Sequence, residues 1–391
     1  MSTFQSLKNI GHFINAAAAL VVNGNPANAL TIIGVTGTDG KTTTSTLIYS
    51  ILKQAKYKVA LISTVAAFIG DKHIDTGFHV TSPTPWALQQ LLRRIKNEGY
   101  THVVLEATSH GLDQHRLLGI KPEVSVLTNV THEHLDYHGT YDNYLKSKSK
   151  LFRSSKQSVL NSDDSSFKPM SDMVIGKTQT HSYNTNDVPV YIKKQFTETY
   201  NQANAQAART VAKLLQIVEA IIEQGLQSFT GIPGRMEEIP NSLNVRIVVD
   251  FAHTPNALES ALMSLRASTQ GKLIAVYGAA GERDVLKRPL MGVIGAKIAD
   301  VVILTSEDPR GENVESIIYQ MKQGIKEGHD KLISIPDRGE AIDWAINRLA
   351  KPGDTVGIFG KGHEQSMNLD GKHETPWSDQ AHIKKLLQSR A

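Results

Sequence analysis

Short apolar runs alternate with helix-like segments along most of the chain. In the first half, runs rich in Val, Ile and Leu predict strands at 30–35, 59–63, 102–106 and 124–129. Apolar residues at helical spacing predict helices at 41–54, 85–97, 141–152 and 203–224. Strands that alternate with helices are typical of parallel sheets, because parallel neighbours need a crossover connection.

The same alternation resumes after a turn that contains Pro233 and Gly234. It predicts strands at 245–250, 273–277, 301–305 and 355–359, and helices at 257–266, 288–299, 314–326 and 340–349. Because Pro and Gly interrupt regular structure, we place a domain boundary at this turn. The pattern therefore predicts an α/β protein with a short N-terminal helical segment (1–29), a central domain (30–232) and a C-terminal domain (233–391).

Composition narrows the class of protein. The 391 residues include no cysteine, which excludes disulfides and thiolate zinc sites, and a net charge of +4 does not suggest nucleic-acid binding. Lys8 followed by an apolar stretch at 14–22 loosely resembles a signal peptide. We interpret it instead as an amphipathic helix packed beside the first strand, too short to span a bilayer. The expectation is a cytoplasmic protein without membrane insertion.

A glycine-rich loop follows the first predicted strand and opens the first long helix. Backbone N–H groups and the helix dipole favour polyphosphate at such a position. Lys41 is expected to reach the β- and γ-phosphates of ATP, and Thr42 to offer its hydroxyl to magnesium. The general P-loop pattern places its first glycine six residues before the lysine, at position 35. Here Val35 occupies that position, and the glycine is one position earlier, at Gly34. The loop predicts ATP binding in the central domain.

The run from Gly34 through Gly37-Thr-Asp-Gly-Lys-Thr-Thr43 resembles the ATP loop of the Mur ligase family, which includes folylpolyglutamate synthases. Further segments, in the same order as in that family, are similar to its UDP-N-acetylmuramoyl-tripeptide synthetases. These segments are 106–116, 128–139, 234–237, 250–255, 287–292, 308–310 and 360–364. The resemblance implies a P-loop central domain with a mainly parallel sheet and a Rossmann-like C-terminal domain. It also identifies 1–29 as the remnant of a UDP-binding domain.

The family motifs imply a set of ATP and metal positions. Lys41, Lys148 and His253 match catalytic positions, and Lys148 matches a lysine that carries a carbamate in the family. One or two magnesium ions are implied, held by Thr42, Glu106, His134 and Lys148. The implied ATP-binding residues are Gly37, Thr38, Asp39, Gly40, Lys41, Thr42, Thr43, Asn129, Asn201, Asn204, Arg235 and Asp250.

A different metal site stays open on the residues alone. His132, His134, Asp136 and His138 form a cluster that could bind zinc, although its spacing matches no common zinc pattern. In contrast, Glu106 and His134 follow predicted neighbouring strands at their carboxyl ends, which favours a hard-cation site beside the phosphate loop.

Two further groups of residues are expected to bind the substrates. The resemblance assigns acceptor binding to Thr81, Ser82, Thr108, Ser109 and Arg116, and amino-acid binding to Arg283, Asp308, Arg310, Gly360 and Glu364. Arg310 suits a bidentate carboxylate contact, as in enzymes that add meso-diaminopimelate. Those enzymes have Asn where this chain has Asp308, which could favour a more cationic amino acid.

The sequence therefore predicts a monomeric, ATP-dependent ligase. It would join meso-diaminopimelate or lysine to a muramyl-peptide-like carboxylate through an acyl phosphate. Two alternatives remain at this point. One is a ligase of the same family that acts on a lipid-linked precursor, a folate or a poly-amino-acid. The other is a non-catalytic nucleotide-binding regulator.

Overall fold

The computed structural model describes residues 3–63, 67–70, 72–74, 83–131, 135–229, 231–326 and 328–388. The chain divides into two compact units, Met1–Thr230 and Gly231–Ala391. Helix α1 belongs to the first unit. The finer division of that unit near residue 30 stays a prediction.

The first unit is built from helices around one sheet. Its helices are α1 Thr3–Asn23, α2 Lys41–Gln54, α3 Pro85–Asn97, α4 Ser109–Asp113, α5 Leu135–His138, α6 Tyr141–Phe152, α7 Phe167–Val174, α8 Val190–Gln195, α9 Thr199–Leu214 and α10 Glu219–Gln227. Its strands are β1 Thr31–Thr36, β2 Val59–Ile62, β3 Ala67–Ile69, β4 Lys72–Ile74, β5 His102–Glu106, β6 Val124–Leu127, β7 Gln157–Asn161 and β8 Gln179–Tyr183. A 3₁₀ turn, Pro26–Ala29, leads into β1.

The described strands of this unit form one sheet in the order β4-β3-β2-β5-β1-β6-β7-β8. Six neighbouring strands run parallel to one another, in the order β2, β5, β1, β6, β7 and β8. The hairpin strands β3 and β4 are antiparallel to their neighbours. β1 lies between β5 and β6. Strands β2 to β5 lie on one side of β1, and β6 to β8 lie on the other side, so the order in which strands are added switches sides at β1. The carboxyl ends of β1, β5 and β6 therefore meet at one edge, which is where ligands bind in open α/β sheets.

Both faces of the sheet are covered, which explains why β1 has no charged residue and is apolar between Thr31 and Thr36. Ile33 and Val35 pack into a core with α2, α9 and α10, whereas Ile32 packs on the other side against α3. Successive side chains of a strand point to opposite faces of the sheet. A strand that is buried on both faces therefore has a continuous run of apolar residues in its sequence.

The second unit repeats this architecture on a smaller scale. Its helices are α11 Pro255–Ser268, α12 Lys287–Ile298, α13 Val314–Lys322, α14 Arg338–Asp343 and α15 Asp379–Gln388, and a π-helical segment, Trp344–Leu349, continues α14. Its strands are β9 Glu237–Glu238, β10 Arg246–Asp250, β11 Leu273–Tyr277, β12 Val301–Leu304, β13 Leu332–Ser334, β14 Thr355–Phe359, β15 Ser366–Asn368 and β16 Glu374–Pro376. A 3₁₀ turn, His329–Lys331, precedes β13.

The larger sheet of the second unit has the order β13-β12-β11-β14-β10-β9 among the described residues. All neighbours are parallel except β9, and separate apolar clusters cover its two faces. A mainly parallel sheet with helices on both faces confirms the predicted Rossmann-like C-terminal fold. The first unit likewise confirms the P-loop fold with its mainly parallel sheet.

One predicted helix was wrong. The segment 203–224 is not continuous, because α9 ends at Leu214 and α10 begins at Glu219. Gln216 has a φ of +61°, a left-handed conformation that a helix cannot contain. The amphipathic pattern continues across the break, since both helices pack on the same core, and it concealed the interruption.

Helix α1 exists, but its main partner is α3. The indole Nε1 of Trp86 on α3 donates to Asn15 Oδ1 at 2.9 Å, and Leu20 packs against Gly119. Among the described residues, no helix combines the length and the apolar character needed to cross a membrane.

Candidate active site

The phosphate loop connects the carboxyl end of β1 to the start of α2. Gly40 stands directly before α2 with a φ of +78°, so the turn requires a left-handed residue. A Cβ on Gly40 would lie 2.4 Å from Asn204 Oδ1, and a Cβ on Gly37 would lie 1.8 Å from Thr128 Oγ1. Glycine is therefore needed at both positions for close packing of the loop.

Residues from the next strand hold the loop in shape. Asn129, two residues beyond β6, accepts through its side-chain Oδ1 from the backbone N–H groups of Thr38 and Asp39, at 3.2 and 2.9 Å. The hydroxyl of Thr128 donates to the carbonyl of Asp39 at 2.6 Å. The predicted ATP residue Asn129 thus fixes the backbone of the loop at Thr38 and Asp39.

Two lysine side chains converge on the carbonyl oxygens of this loop. Lys41 Nζ donates to the Thr38 carbonyl at 2.6 Å, and Lys148 Nζ donates to the Gly37 carbonyl at 2.6 Å. Lys148, on α6, is 1% exposed, and its ammonium lies 4.3 Å from the centre of the Tyr144 ring. The structure therefore brings two of the three predicted catalytic residues to the same loop.

The predicted magnesium ligands Thr42 and Glu106 are in direct contact. Thr42 Oγ1 donates to Glu106 Oε2 at 3.0 Å, and both side chains are buried. A hydroxyl and a carboxylate oxygen side by side at the start of a phosphate-loop helix are the oxygen donors that magnesium prefers, so these residues fit the ion. The third predicted ligand, His134, lies outside the described residues.

The zinc alternative stays untested, because His132, His134 and the side chain of Asp136 lie outside the described residues. Among the described residues, no group of three metal-binding side chains is found. His138 packs against the rings of His110 and Tyr144, with centroids 5.5 and 5.0 Å away.

Helix α9 contributes one of its two predicted ATP residues to the loop. Asn204 is buried and accepts through Oδ1 from Thr44 Oγ1 at 3.1 Å, next to Gly40. Asn201 instead donates to Glu198 Oε2 at 3.3 Å, one turn earlier.

The predicted acceptor residues follow β5. Thr108 caps α4 by accepting from the Gly111 N–H at 3.1 Å, and the carbonyl of Ser109 accepts from Ser147 Oγ on α6 at 2.7 Å. Arg116 donates twice to Gln114 Oε1, at 3.0 and 2.7 Å. Thr81 and Ser82 lie outside the described residues. The described members thus lie just beyond Glu106 and beside the helix that carries Lys148.

In the second unit, three predicted residues gather around Phe251 at the end of β10. Asp250 accepts from the N–H groups of Met236 and Ala252 at 2.7 and 2.8 Å. The Arg235 guanidinium lies over the Phe251 ring at 4.6 Å. His253 Nδ1 lies 2.9 Å from the Phe251 carbonyl. Asp250 therefore fixes the two segments that carry Arg235 and His253.

The predicted amino-acid residues Asp308 and Glu364 are joined by a lysine. Lys361 is 1% exposed; its Nζ donates to Asp308 Oδ1 at 2.8 Å and pairs with Glu364. The N–H of Asn368 also donates to Asp308 Oδ1, at 3.0 Å. Asp308 is therefore engaged in an ion pair within the protein.

Arg310 lies in the same region with a constrained backbone. Its φ is +54°, and its Nη1 donates to the Gly281 carbonyl at 2.7 Å. A non-glycine residue in this conformation is strained, and such strain often marks ligand sites. Arg283, in the segment that follows Gly281, is exposed.

Gly360, the last predicted residue of this group, lies against a buried carboxyl. A Cβ on Gly360 would lie 3.1 Å from Glu307 Oε2. That oxygen forms no hydrogen bond within the described residues. Burial raises the pKa of Glu307 to about 7, even though Lys287 and Lys361 act in the opposite direction.

Sequence reasoning missed two residues of these sites. Tyr144 contacts Thr38 Oγ1 through its hydroxyl at 3.1 Å and carries the Lys148 ammonium on its ring. Lys361 stands within the glycine-rich segment 360–364. Its position in that recognised segment was the available signal for Lys361, whereas no sequence pattern pairs Tyr144 with the phosphate loop.

Two family models match this chain. The Mur ligase middle domain matches residues 35–249, and the Mur ligase, glutamate ligase domain matches residues 234–362.

Similar sequences carry matching names. The chain is 36% identical over 372 residues to UDP-N-acetylmuramoyl-L-alanyl-D-glutamate–2,6-diaminopimelate ligase 1 of Clostridium acetobutylicum, across 89% of this chain and 76% of that protein. It is 38% identical over 405 residues to the UDP-N-acetylmuramyl-tripeptide synthetase of Deinococcus radiodurans, across 96% of this chain and 81% of that protein.

Solved structures agree with the fold. A UDP-N-acetylmuramoyl-L-alanyl-D-glutamate–2,6-diaminopimelate ligase superposes with a TM-score of 0.60 at 32% identity, covering 92% of this chain and 79% of that one. E. coli FolC in complex with ADP superposes with a TM-score of 0.71 at 21% identity, covering 97% and 94%. The second likeness concerns the fold alone.

Proposed function

Because this chain belongs to the Mur ligase family of ATP-dependent ligases that form peptide bonds, we propose that it adds meso-diaminopimelate or lysine to a muramyl-peptide-like acceptor. The observation that carries the proposal is the contact of Thr42 with Glu106 beneath a loop on which Lys41 and Lys148 converge. This group of residues suits phosphoryl transfer to a carboxylate.

The chain's own groups position the phosphates in this mechanism. Asn129 holds the backbone of the loop at Thr38 and Asp39. The remaining N–H groups at the start of α2 and the Lys41 ammonium bind the phosphate oxygens. Thr42 and Glu106 would hold magnesium, which would neutralise negative charge on the transferring phosphoryl group. The acceptor carboxylate attacks the γ-phosphorus while the bond to ADP breaks, which gives an acyl phosphate. The amine of the amino acid then displaces phosphate and forms the amide.

We assign Lys148 a carbamate, formed from its neutral amine and carbon dioxide. Its Nζ is buried and lies at the Gly37 carbonyl, beside the loop that meets the phosphates. Burial of an ammonium is costly, and carbamylation would replace it with an oxygen donor for a second magnesium.

The amino acid would bind where Arg310, Asp308 and Glu364 lie. Lys361 pairs with both acids, and the Arg310 guanidinium is the group suited to a bidentate carboxylate contact. This favours diaminopimelate, which has a second carboxylate, over lysine. The names of the similar proteins from Clostridium acetobutylicum and Deinococcus radiodurans support a UDP-muramoyl-dipeptide as the acceptor.

The test is phosphate release from ATP and magnesium across a matrix of acceptors and amino acids. We expect release to require UDP-muramoyl-dipeptide together with diaminopimelate, with weaker release for lysine. Arg310→Ala should raise the KM for the amino acid much more than the KM for ATP. Release with folate or with a muramyl dipeptide that lacks the nucleotide would move the acceptor elsewhere. No release with any pair would favour a regulator.

A further inference from the structure

Helix α1 carries an exposed apolar stripe. Five large side chains on it are exposed, although apolar residues of this size are usually buried. They are Ile10 (57% exposed), Phe13 (46%), Ile14 (62%), Val21 (78%) and Val22 (65%). Ile10, Ile14 and Val21 recur at helical spacing and form the stripe on one side of the helix, with Val22 at its edge. Phe13 lies outside the stripe, because its ring packs edge-on against His115 with centroids 5.5 Å apart.

The fold does not need this side of the helix. The opposite side attaches α1 to the unit, where Ala16 and Ala19 are buried and Leu20 packs against Gly119. Asn15 accepts from the Trp86 indole on α3. The stripe is left uncovered by the part of the chain that the structure describes.

The surroundings of the stripe are basic. The first acidic residue of the whole sequence is Asp39, so α1 contains none. On the neighbouring helix α3, Arg93, Arg94 and Lys96 are exposed. Val22 lines the same surface groove as Arg93 and Arg94. Glu98 offsets part of this charge through a 2.8 Å ion pair with Arg94.

The size of the stripe argues against a second copy of the chain as its occupant. From Ile10 to Val22 it is roughly 20 Å long, at 1.5 Å per residue, and one helix is about 10 Å wide. The resulting area of about 200 Å² is far below the roughly 800 Å² per partner of a stable protein interface. A helix that lies in a lipid interface buries only one such face and gains further affinity from cations.

We propose that α1, together with the cations of α3, docks the protein on a membrane surface that contains anionic phospholipids. The apolar stripe enters the boundary between headgroups and acyl chains, and Arg93, Arg94 and Lys96 face the lipid phosphates. The helix lies on the membrane and does not cross it. The stripe contains no residue of the candidate active site, although Phe13 of the same helix packs on His115, next to the predicted acceptor residue Arg116. The proposal does not depend on the identity of the substrates.

Vesicle co-sedimentation of the full-length protein tests the proposal. We expect binding to phosphatidylcholine vesicles that contain phosphatidylglycerol, and much weaker binding to pure phosphatidylcholine or at high salt. The double variant Ile14→Asp/Val21→Asp should bind at least tenfold more weakly. Its matched control is Val218→Asp/Ile175→Asp, which changes one Val and one Ile of similar exposure, 65% and 75%, elsewhere in the unit. The control should bind like the wild type.

A second variant removes charge without touching an apolar contact. Arg93→Gln/Arg94→Gln/Lys96→Gln should weaken binding by roughly fivefold per cation, the effect of one cation near an anionic surface. Absence of wild-type binding to anionic vesicles at low salt would overturn the proposal, and so would unchanged binding of Ile14→Asp/Val21→Asp. A wild-type dimer in sedimentation velocity that this variant dissociates would assign the stripe to a second copy instead.

Discussion

At the scale of single residues, the buried Lys148 ammonium is the group with the clearest chemical consequence. If it carries a carbamate, Lys148→Ala should lower turnover by about 10²–10³-fold, the usual effect of removing one electrostatic group at a reaction centre. Short-chain carboxylic acids should restore part of the rate in steady-state phosphate release. Lys146→Ala changes an exposed lysine of the same helix and should keep normal activity. Full activity of Lys148→Ala without added acid would remove the carbamate from the mechanism.

Glu307 makes a prediction about pH and stability. Its pKa rises from 4.5 to about 7 because the carboxyl is buried. The native state therefore holds this proton more tightly than the unfolded state, and it loses stability as pH rises from about 4.5 to about 7. The loss is roughly 3 kcal/mol. In urea unfolding, Glu307→Gln should be more stable than the wild type at pH 8. The two proteins should have the same stability near pH 4.5, the lower end of this window.

Glu312 supplies a control of opposite sign. The hydrogen bond from Arg288 lowers the pKa of Glu312 to about 2. This interaction stabilises the native state above the ordinary carboxyl pKa and is lost as pH falls toward 2. Glu312→Gln should therefore destabilise the protein at neutral pH. If the free energies of unfolding of Glu307→Gln and Glu312→Gln, each relative to the wild type, changed with pH in the same direction, both assignments would be contradicted.

Residues that act within one motif could be predicted from the sequence, and residues that act between motifs could not. Lys41 and Thr42 are spaced along one loop, so their type and order indicate phosphate and magnesium. Tyr144 meets the loop only because α6 packs against β1, and Lys361 joins Asp308 to Glu364 only in the folded chain. Such partners are set by tertiary packing, which a single sequence does not encode as a pattern.

At the scale of elements, the turn into α2 depends on Gly40. Gly40→Ala should destabilise the protein and raise the KM for ATP, since its Cβ would lie 2.4 Å from Asn204 Oδ1 in a left-handed turn. Gly176→Ala is the matched control: its φ of +71° is similar, but nothing lies within 4 Å of the new Cβ. It should cost only the backbone strain, about 1–2 kcal/mol. Equal effects in thermal denaturation would show that Asn204 does not restrict the loop.

The predicted start of a helix is correct where a capping residue directly precedes the first residue of its apolar face. α3 begins as predicted because Thr84 caps it, and α6 because Thr140 does. The polar strand β8 was missed, since four of its five side chains are exposed or only half-buried and no apolar run marks it. Edge strands pair through their backbone, which leaves little trace in side-chain periodicity.

At the scale of the whole molecule, each unit has its own sheet with apolar clusters on both faces. We therefore expect 1–230 and 231–391, expressed separately, each to fold and unfold cooperatively. Circular dichroism during heating measures this. The control is a division at residue 176, which separates β8 from β7 inside one sheet. Those fragments should lack a cooperative transition, and failure of 231–391 to fold would show that its cores are insufficient alone.

The hydrogen bond from Thr44 to Asn204 spans 160 residues. During synthesis, β1 and α2 therefore leave the ribosome long before α9 can support the turn between them. At roughly 5–20 residues per second, the delay is about 10–30 s. For that interval the nascent chain exposes an apolar central strand without a completed nucleotide site, so ATP cannot protect it from aggregation. Chaperones that shield apolar strands are the protection left to the growing chain.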